Sequence, residues 1–257
     1  MARSEPRIIR LGETGSTNAD AMRLALRGEA LPLWVEAQRQ TEGKGRAGRV
    51  WVSERGNLHT SLAVQCHAPL ARAGELALVA GVALVAAIRT ASAALAANPR
   101  LRLKWPNDCL IGFSKVGGIL VETTTTGGDG GFAAVLGFGV NVAAAPKNLD
   151  RDAAALGDFD PAMTVDRIAA ALHHETEMAL DIWNNGAGFD VIRTRWLDAA
   201  GPLGQKIAIQ TLSGRREGTY QGLSETGALL ARFAQEIQEI HFGDVSLVGG
   251  VGEGRRD

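Results

Sequence analysis

Two β-rich runs joined by a glycine-rich turn constrain the fold of this chain more than any other feature. The runs extend from Val116 to Thr126 and from Phe132 to Val142, with Gly127-Gly128-Asp129-Gly130-Gly131 between them. A short glycine- and aspartate-rich segment between two strand-forming runs is the signal of an antiparallel β-hairpin. Four further runs predict additional strands: Arg7 to Leu11, Leu33 to Gln38, Leu58 to Gln65 and Arg102 to Trp105.

Helical stretches separate the predicted strands. Ser16 and Thr17 supply hydroxyl caps at the start of the first helix, and Gly28 follows its end. The predicted helices are Asn18 to Arg27, Glu75 to Ala97, Thr164 to Trp183 and Phe189 to Leu197. We therefore expect an α+β fold, with a mixed or antiparallel sheet flanked by helices.

The pattern changes after Gly201-Pro202-Leu203-Gly204. Four short alternating segments follow: Lys206 to Thr211, Arg216 to Gly222, Ala228 to Arg232 and Glu236 to Phe242. Short strands separated by turn residues predict a small β-barrel. The chain therefore divides into a main domain (1–200), a small C-terminal domain (201–247) and a flexible tail (248–257).

Composition and charge exclude several classes of protein. The net charge of −1 is not the basic excess of a dedicated nucleic-acid binder. Residues 1–10 lack the apolar core of a secretory signal. The longest apolar run, Leu76 to Ile88, is shorter than the ~20 residues of a membrane span, so we expect a buried helix there. Two cysteines, Cys66 and Cys109, form neither a disulfide framework nor a zinc site. We expect a cytoplasmic protein without membrane or nucleic-acid partners.

The run from Gly43 to Trp51 alternates three glycines with three cations and ends in tryptophan. Glycine lets a backbone approach a ligand closely, and the cations supply charge-assisted donors to phosphate or carboxylate. The spacing is neither that of a P-loop nor that of a dinucleotide fingerprint. Two interpretations remain at this point: a flexible basic surface turn, or a loop that wraps an anionic small molecule and becomes ordered when it binds.

Four further clusters lie at strand ends or in loops. Ser16-Thr17-Asn18 is typical of a helix cap, and a helix N-terminus also offers free N–H groups to an anion. Gln40 precedes the basic loop. Lys104-Trp105-Pro106-Asn107-Asp108 combines groups that can contact phosphate, hold Mg²⁺ or stack on a ring. Lys115 precedes glycines on the two strands of the hairpin, which predict a slot for a thin aliphatic chain: Gly117, Gly118, Gly137 and Gly139.

Taken in their order along residues 16–141, these motifs resemble those of the biotin–protein ligases. They are Ser-Thr-Asn, Gly-Lys-Gly-Arg-x-Gly-Arg-x-Trp, Lys-Trp-Pro-Asn-Asp, Lys-x-x-Gly-Ile-Leu-Val-Glu and Gly-x-Gly-x-Asn. The resemblance implies a C-terminal SH3-like barrel and the short, ligase-only form without a DNA-binding module. The sequence departs from the family pattern at Lys44, which replaces the usual arginine and lacks the planar guanidinium group of that side chain.

The resemblance also implies an activity. Biotin is activated by ATP to biotinoyl-5′-AMP and transferred to a lysine of the biotin carboxyl carrier protein of a carboxylase. It makes Lys115 and Arg46 the catalytic residues. It assigns biotin contacts to Ser16, Thr17, Asn18, Gln40, Lys44, Gly45, Arg46, Lys115, Gly118, Gly137 and Gly139. It assigns ATP or adenylate contacts to Arg46, Arg49, Trp51, Asn107, Asp108, Lys115 and Asn141. Mg²⁺ is expected with ATP, with Asp108 as its candidate ligand.

Two other functions stay open from the sequence. A lipoate or octanoate ligase or transferase shares the fold by resemblance and also places a lysine beside an acyl chain. A non-catalytic biotin-binding regulator is the second alternative. The oligomeric state, monomer or homodimer, is also open.

Overall fold

The computed structural model describes residues 6–125, 131–146, 152–211 and 214–248. Its main sheet has seven strands in the order β1-β2-β3-β7-β6-β5-β4. The strands are β1 (Arg7–Leu11), β2 (Leu33–Ala37), β3 (Leu58–Cys66), β4 (Leu101–Lys104), β5 (Asp108–Ile111), β6 (Ser114–Thr125) and β7 (Phe132–Val140). The β1–β2 pair is parallel, and the other neighbouring pairs are antiparallel.

The predicted hairpin is the centre of this sheet. Its two strands, β6 and β7, pair antiparallel with Val121 opposite Leu136. Most of the predicted glycine-rich turn lies outside the described residues. Strand β6 begins at Ser114, two residues earlier than predicted, and this places Lys115 within the strand. The mixed α+β class predicted from the sequence is confirmed.

Five α-helices accompany the strands within the described ranges. They are α1 (Thr17–Leu26), α2 (Glu75–Ala91), α3 (Ala93–Ala96), α4 (Val165–Trp183) and α5 (Phe189–Asp198). The long helix predicted from Glu75 to Ala97 is wrong in one respect, because it breaks at Ser92. That residue has an extended backbone, and its hydroxyl accepts a hydrogen bond from the Leu95 N–H, which caps a new short helix.

Helix α2 is the central core helix. It is apolar around most of its circumference and packs against α4, α5 and the main sheet. By length and composition, the helical stretch from Leu70 to Ala91 is apolar enough to cross a membrane, but 67% of its most apolar window is buried inside the fold. This burial is expected of an apolar helix that packs in the core of a folded domain.

The C-terminal part forms a five-stranded antiparallel sheet in the order β11-β10-β9-β8-β12. Its strands are β8 (Lys206–Thr211), β9 (Gly214–Leu223), β10 (Leu229–Phe233), β11 (Glu236–Ile240) and β12 (Asp244–Leu247). The last of these was not predicted. The sheet packs on the main part, where Trp105 Nε1 donates to the Gly227 carbonyl at 3.1 Å. The domain boundary near residue 201, between α5 and β8, stays a prediction, as does closure into an SH3-like barrel.

Candidate active site

A cleft of about 1090 Å³ lies between the main sheet and the C-terminal sheet. Residues from both parts line it, including the segment from Asp244 to Leu247 in β12. It brings together fifteen of the sixteen residues to which the resemblance assigns a role: Ser16, Thr17, Asn18, Gln40, Lys44, Gly45, Arg46, Arg49, Trp51, Asn107, Asp108, Lys115, Gly118, Gly137 and Gly139. Residues far apart in the sequence therefore share one cavity.

The start of α1 forms a polar corner of the cleft. The Ser16 hydroxyl caps the helix by accepting from the Ala19 N–H, so the cap interpretation of this motif is confirmed. The Thr17 N–H and hydroxyl donate to Gln40 Oε1 at 2.8 and 3.0 Å. The amide nitrogen of Gln40 donates in turn to the Ser53 hydroxyl at 2.9 Å. The Gln40 side chain is therefore fixed in orientation at the wall of the cleft.

Asn18 is held by a second set of hydrogen bonds. Its oxygen accepts from the Ser61 hydroxyl at 2.6 Å, and its amide nitrogen donates to Glu122 Oε2 at 2.8 Å. The Ser61 hydroxyl also lies 2.8 Å from Thr17 Oγ1. Sequence reasoning missed Ser61, although a serine inside the buried apolar strand β3 is a signal that a polar partner is needed.

The glycines of the hairpin make room for side chains of the protein itself. A Cβ atom on Gly137 would lie 1.9 Å from Asn18 Oδ1. A Cβ on Gly139 would lie 2.4 Å from the Trp51 ring, and one on Gly118 would lie 3.0 Å from it. The sequence predicted an open slot at these positions. In the structure, Trp51 and Asn18 lie directly against this glycine surface and narrow the slot.

Replacing Gly137 with alanine should therefore destabilise the fold. Because the new methyl group displaces the Asn18 amide from Ser61 and Glu122, we expect the free energy of unfolding to fall by about 1–3 kcal/mol. Urea denaturation measures this change. Gly74→Ala is the control, since a Cβ there meets nothing within 4 Å. Equal stabilities of the two variants would contradict this explanation of Gly137.

The loop from Gly43 to Trp51 folds back on itself. The Trp51 N–H donates to the Gly43 carbonyl at 2.9 Å, and the Gly45 N–H donates to the Arg49 carbonyl at 2.7 Å. A left-handed backbone at Ala47 (φ 54°) and Gly48 (φ 72°) makes the reversal. This turn directs cations of the loop toward the C-terminal sheet, where Arg49 Nη2 lies 2.6 Å from Asp244 Oδ1.

A buried carboxylate between two lysines forms the charged centre of the cleft. Asp108 Oδ2 lies 2.8 Å from Lys104 Nζ, and Asp108 Oδ1 accepts a hydrogen bond from Lys115 Nζ. Burial alone opposes ionisation of Asp108, but the two ammonium groups outweigh it and hold the pKa of that carboxyl well below its usual range. The ammonium group of Lys115 also lies 5.1 Å from the centre of the Trp51 ring.

The comparisons with known proteins agree with this geometry. Residues 17–141 match the Biotin/lipoate A/B protein ligase family, and residues 203–248 match the Biotin protein ligase C terminal domain. A Paracoccus denitrificans protein named biotin–[acetyl-CoA-carboxylase] ligase is 36% identical over 93% of this chain and 100% of that protein. The chain belongs to the biotin protein ligases. The bifunctional ligase/repressor of Bacillus subtilis is 30% identical over 90% of this chain and 71% of its own length.

A solved ligase shares the architecture as well. The Aquifex aeolicus biotin protein ligase in complex with biotin and ATP has a TM-score of 0.75 and 26% identity to this ligase. The match covers 94% of this chain and 98% of that one. The main sheet and the C-terminal sheet of this ligase therefore both have counterparts in that structure.

Two asparagines of this ligase, Asn107 and Asn141, donate to backbone carbonyls. Asn107 Nδ2 donates to the Ile119 carbonyl at 2.6 Å. Asn141 does not line the cleft, because its buried amide donates to the carbonyls of Lys115 and Ala154 at 3.3 and 3.2 Å. This placement does not favour the predicted adenine contact of Asn141. Its amide instead holds the strand that carries Lys115.

Asp108 does not fit as a direct magnesium ligand in this ligase. Both of its oxygens are engaged by ammonium groups, which a divalent cation would have to displace against charge repulsion. Within the described ranges, no group of three or more His, Cys, Asp or Glu side chains is placed to hold a metal ion. The arrangement matches an anion site far better than a cation site.

Proposed function

We propose that this chain activates biotin with ATP to biotinoyl-5′-AMP and then transfers biotin to a lysine of a biotin carboxyl carrier protein. The observation that carries the proposal is the cleft itself, because a fixed polar corner and a cluster of cations line the same cavity. Membership of the biotin protein ligases supports the same conclusion.

The first step needs two anions to meet. A biotin carboxylate oxygen attacks the α-phosphorus of ATP, a new P–O bond forms, and the bond to pyrophosphate breaks. Because both reactants are negative and charge accumulates at the α-phosphate, preorganised cations lower the barrier. We assign this task to Lys115 and Arg46, which both line the cleft. Mg²⁺ is expected to accompany the ATP phosphates rather than to be held by Asp108.

The polar corner suits the ureido head of biotin. A ureido group has two N–H donors and one carbonyl acceptor, and the corner offers hydroxyl and amide groups of both types: Ser16, Thr17, Asn18 and Gln40. We expect Lys44 and Gly45 to contact the ligand from the loop, and the glycine surface with Trp51 to contact the acyl chain and the adenylate. Arg49, on the same loop, is assigned to the adenylate phosphate.

The second step transfers the acyl group directly to an amine. The ε-amine of the carrier lysine attacks the acyl carbon, an amide bond forms, and AMP leaves with the former carboxylate oxygen. A thioester on the protein is not part of the proposal, because burial raises the pKa of both thiols, Cys66 and Cys109, to about 12. Two buried, unpaired thiols also suit a reducing compartment, and we place the protein in the cytoplasm.

The purified protein should release pyrophosphate from ATP only when biotin is present. We expect a burst of about one pyrophosphate per active site without a carrier domain, and steady turnover with one. Mass spectrometry should show biotin on the carrier, and a carrier with its target lysine changed to arginine should stay unmodified. Release driven by lipoate or octanoate but not by biotin would favour the lipoate class. Biotin binding without pyrophosphate release would favour a non-catalytic regulator.

A further inference from the structure

One short segment of the C-terminal sheet holds three cations of the cleft. Arg46 Nη2 donates to the Gly243 carbonyl at 3.2 Å, and Arg49 Nη2 donates to Asp244 Oδ1 at 2.6 Å. Lys104 Nζ donates to the Val245 carbonyl at 2.7 Å. We call the contacts of Arg46 and Arg49 with Gly243 and Asp244 the clasp. It joins the basic loop to the start of strand β12.

The charges within the clasp make Asp244 its central residue. The same oxygen that accepts from Arg49 lies 3.6 Å from Arg46 Nη1, so one carboxylate faces two guanidinium groups. It offsets the repulsion between two like charges that the tight loop brings together. Within the part of the chain that the structure describes, no other acidic side chain forms an ion pair with either arginine.

The clasp is exposed enough to open. The side chains of Arg49 and Asp244 are 46% and 45% exposed, and that of Arg46 is 29% exposed. Ion pairs at such positions are weak and are screened by salt. A weak closure suits a loop that has to admit biotin and ATP, cover a reactive mixed anhydride and then expose it to a protein lysine.

We propose that Asp244 is a positioning residue that keeps the basic loop closed over the acyl-adenylate. It acts through Arg46 and Arg49 and touches neither reacting group. This inference rests on the proposed function. The main domain makes the intermediate, and we assign to the C-terminal sheet the task of retaining it. The sequence motifs offered no residue of the C-terminal part for any such role.

Asp244→Asn should make the protein release its intermediate. We expect biotinoyl-5′-AMP to dissociate from a preformed stoichiometric complex about five- to tenfold faster, measured by rapid filtration. The pyrophosphate burst should keep its amplitude, because Lys115 and Arg46 remain present. Free mixed anhydride reacts with amines in solution, so biotin labelling of serum albumin in the same mixture should rise by a similar factor. The difference from the unaltered protein should shrink between 0.05 and 0.5 M salt, since screening weakens the clasp in the unaltered protein.

Three comparisons separate positioning from a general structural effect. Glu239→Gln removes an exposed carboxylate from β11, at the opposite edge of the C-terminal sheet, and should leave dissociation unchanged. Asp244→Glu keeps the charge and should restore most of the retention. Arg49→Ala removes the phosphate contact assigned to Arg49 as well as its ion pair with Asp244. Combining it with Asp244→Asn should give less than the product of the single effects, because both variants lose the same ion pair.

The possible outcomes distinguish this inference from the proposed function. Unchanged dissociation in Asp244→Asn, an equal effect of Glu239→Gln, or fully multiplicative effects in the double variant would overturn the role of Asp244 alone. If the unaltered protein released no pyrophosphate with biotin and ATP, the proposed function and the role of Asp244 would both be wrong.

Discussion

Lys115→Ala should lower the rate of biotin-dependent pyrophosphate release by about 100- to 1000-fold. The ammonium group of Lys115 is buried in the cleft beside Asp108, and its substitution removes a preorganised charge from the position assigned to the developing negative charge. A burst measurement with ATP and biotin measures the effect on the first step alone. Transfer from separately supplied biotinoyl-5′-AMP to a carrier domain should fall much less.

Two further variants make this result interpretable. Lys206→Ala removes an exposed lysine at the start of β8 and should keep the full rate. Lys115→Arg keeps the positive charge and should recover part of the rate. Far-UV circular dichroism has to show that Lys115→Ala is folded. A folded Lys115→Ala protein with a nearly normal burst would refute the catalytic assignment.

Asp108→Asn should cause the largest loss of stability among these variants. The substitution removes the negative charge that two largely buried ammonium groups, those of Lys104 and Lys115, share. Breaking a buried ion pair from one side costs about 3–5 kcal/mol, which corresponds to a melting temperature lower by roughly 10 °C. Thermal unfolding followed by circular dichroism measures it. Asp198→Asn, at the exposed end of α5, is the control and should melt within about 2 °C of the unaltered protein.

The ion pairs of Asp108 with the two lysines also predict how the stability of the protein depends on pH. The folded protein holds the pKa of Asp108 below its value in the unfolded chain, which is about 3.9. The stabilisation is therefore fully present above pH 5 and is lost as the pH falls through the folded pKa. The stability difference between the unaltered protein and Asp108→Asn should stay constant from pH 8 to about pH 5 and narrow below about pH 4. A constant difference down to pH 3 would contradict the pairing.

The sequence predicted the fold where a local pattern decides the structure. The hairpin of β6 and β7 follows from alternating β-rich runs with a glycine turn, and the start of α1 follows from the Ser16 cap. The break at Ser92 could not be predicted, because alanine- and leucine-rich sequence favours a continuous helix and the interruption depends on local capping. Strand β12 was missed because its four residues, Asp244–Leu247, gain their stability from pairing with β8.

The same distinction applies to the site. Motif resemblance gathered residues that the structure brings into one cleft, although no spacing rule places Lys115 beside Asp108 and Trp51. The supporting partners, Ser53 and Ser61, lie outside the motifs, and only the folded structure shows which side chains they orient. Asn141 belongs to a motif, but its amide is turned toward backbone carbonyls. The chemical type of a side chain is readable from sequence, whereas its direction depends on long-range packing.

The two halves of the clasp are far apart in the sequence, and this separation has a consequence for biosynthesis. Arg46 and its acceptor carbonyl on Gly243 are 197 residues apart in the sequence. During translation, the polar corner emerges from the ribosome early, and Asp244 follows only after nearly every other strand has been made. A nascent chain therefore cannot hold the reactive mixed anhydride under a closed loop until synthesis has passed β12. The order of the strands therefore delays closure of the loop until β12 has been made.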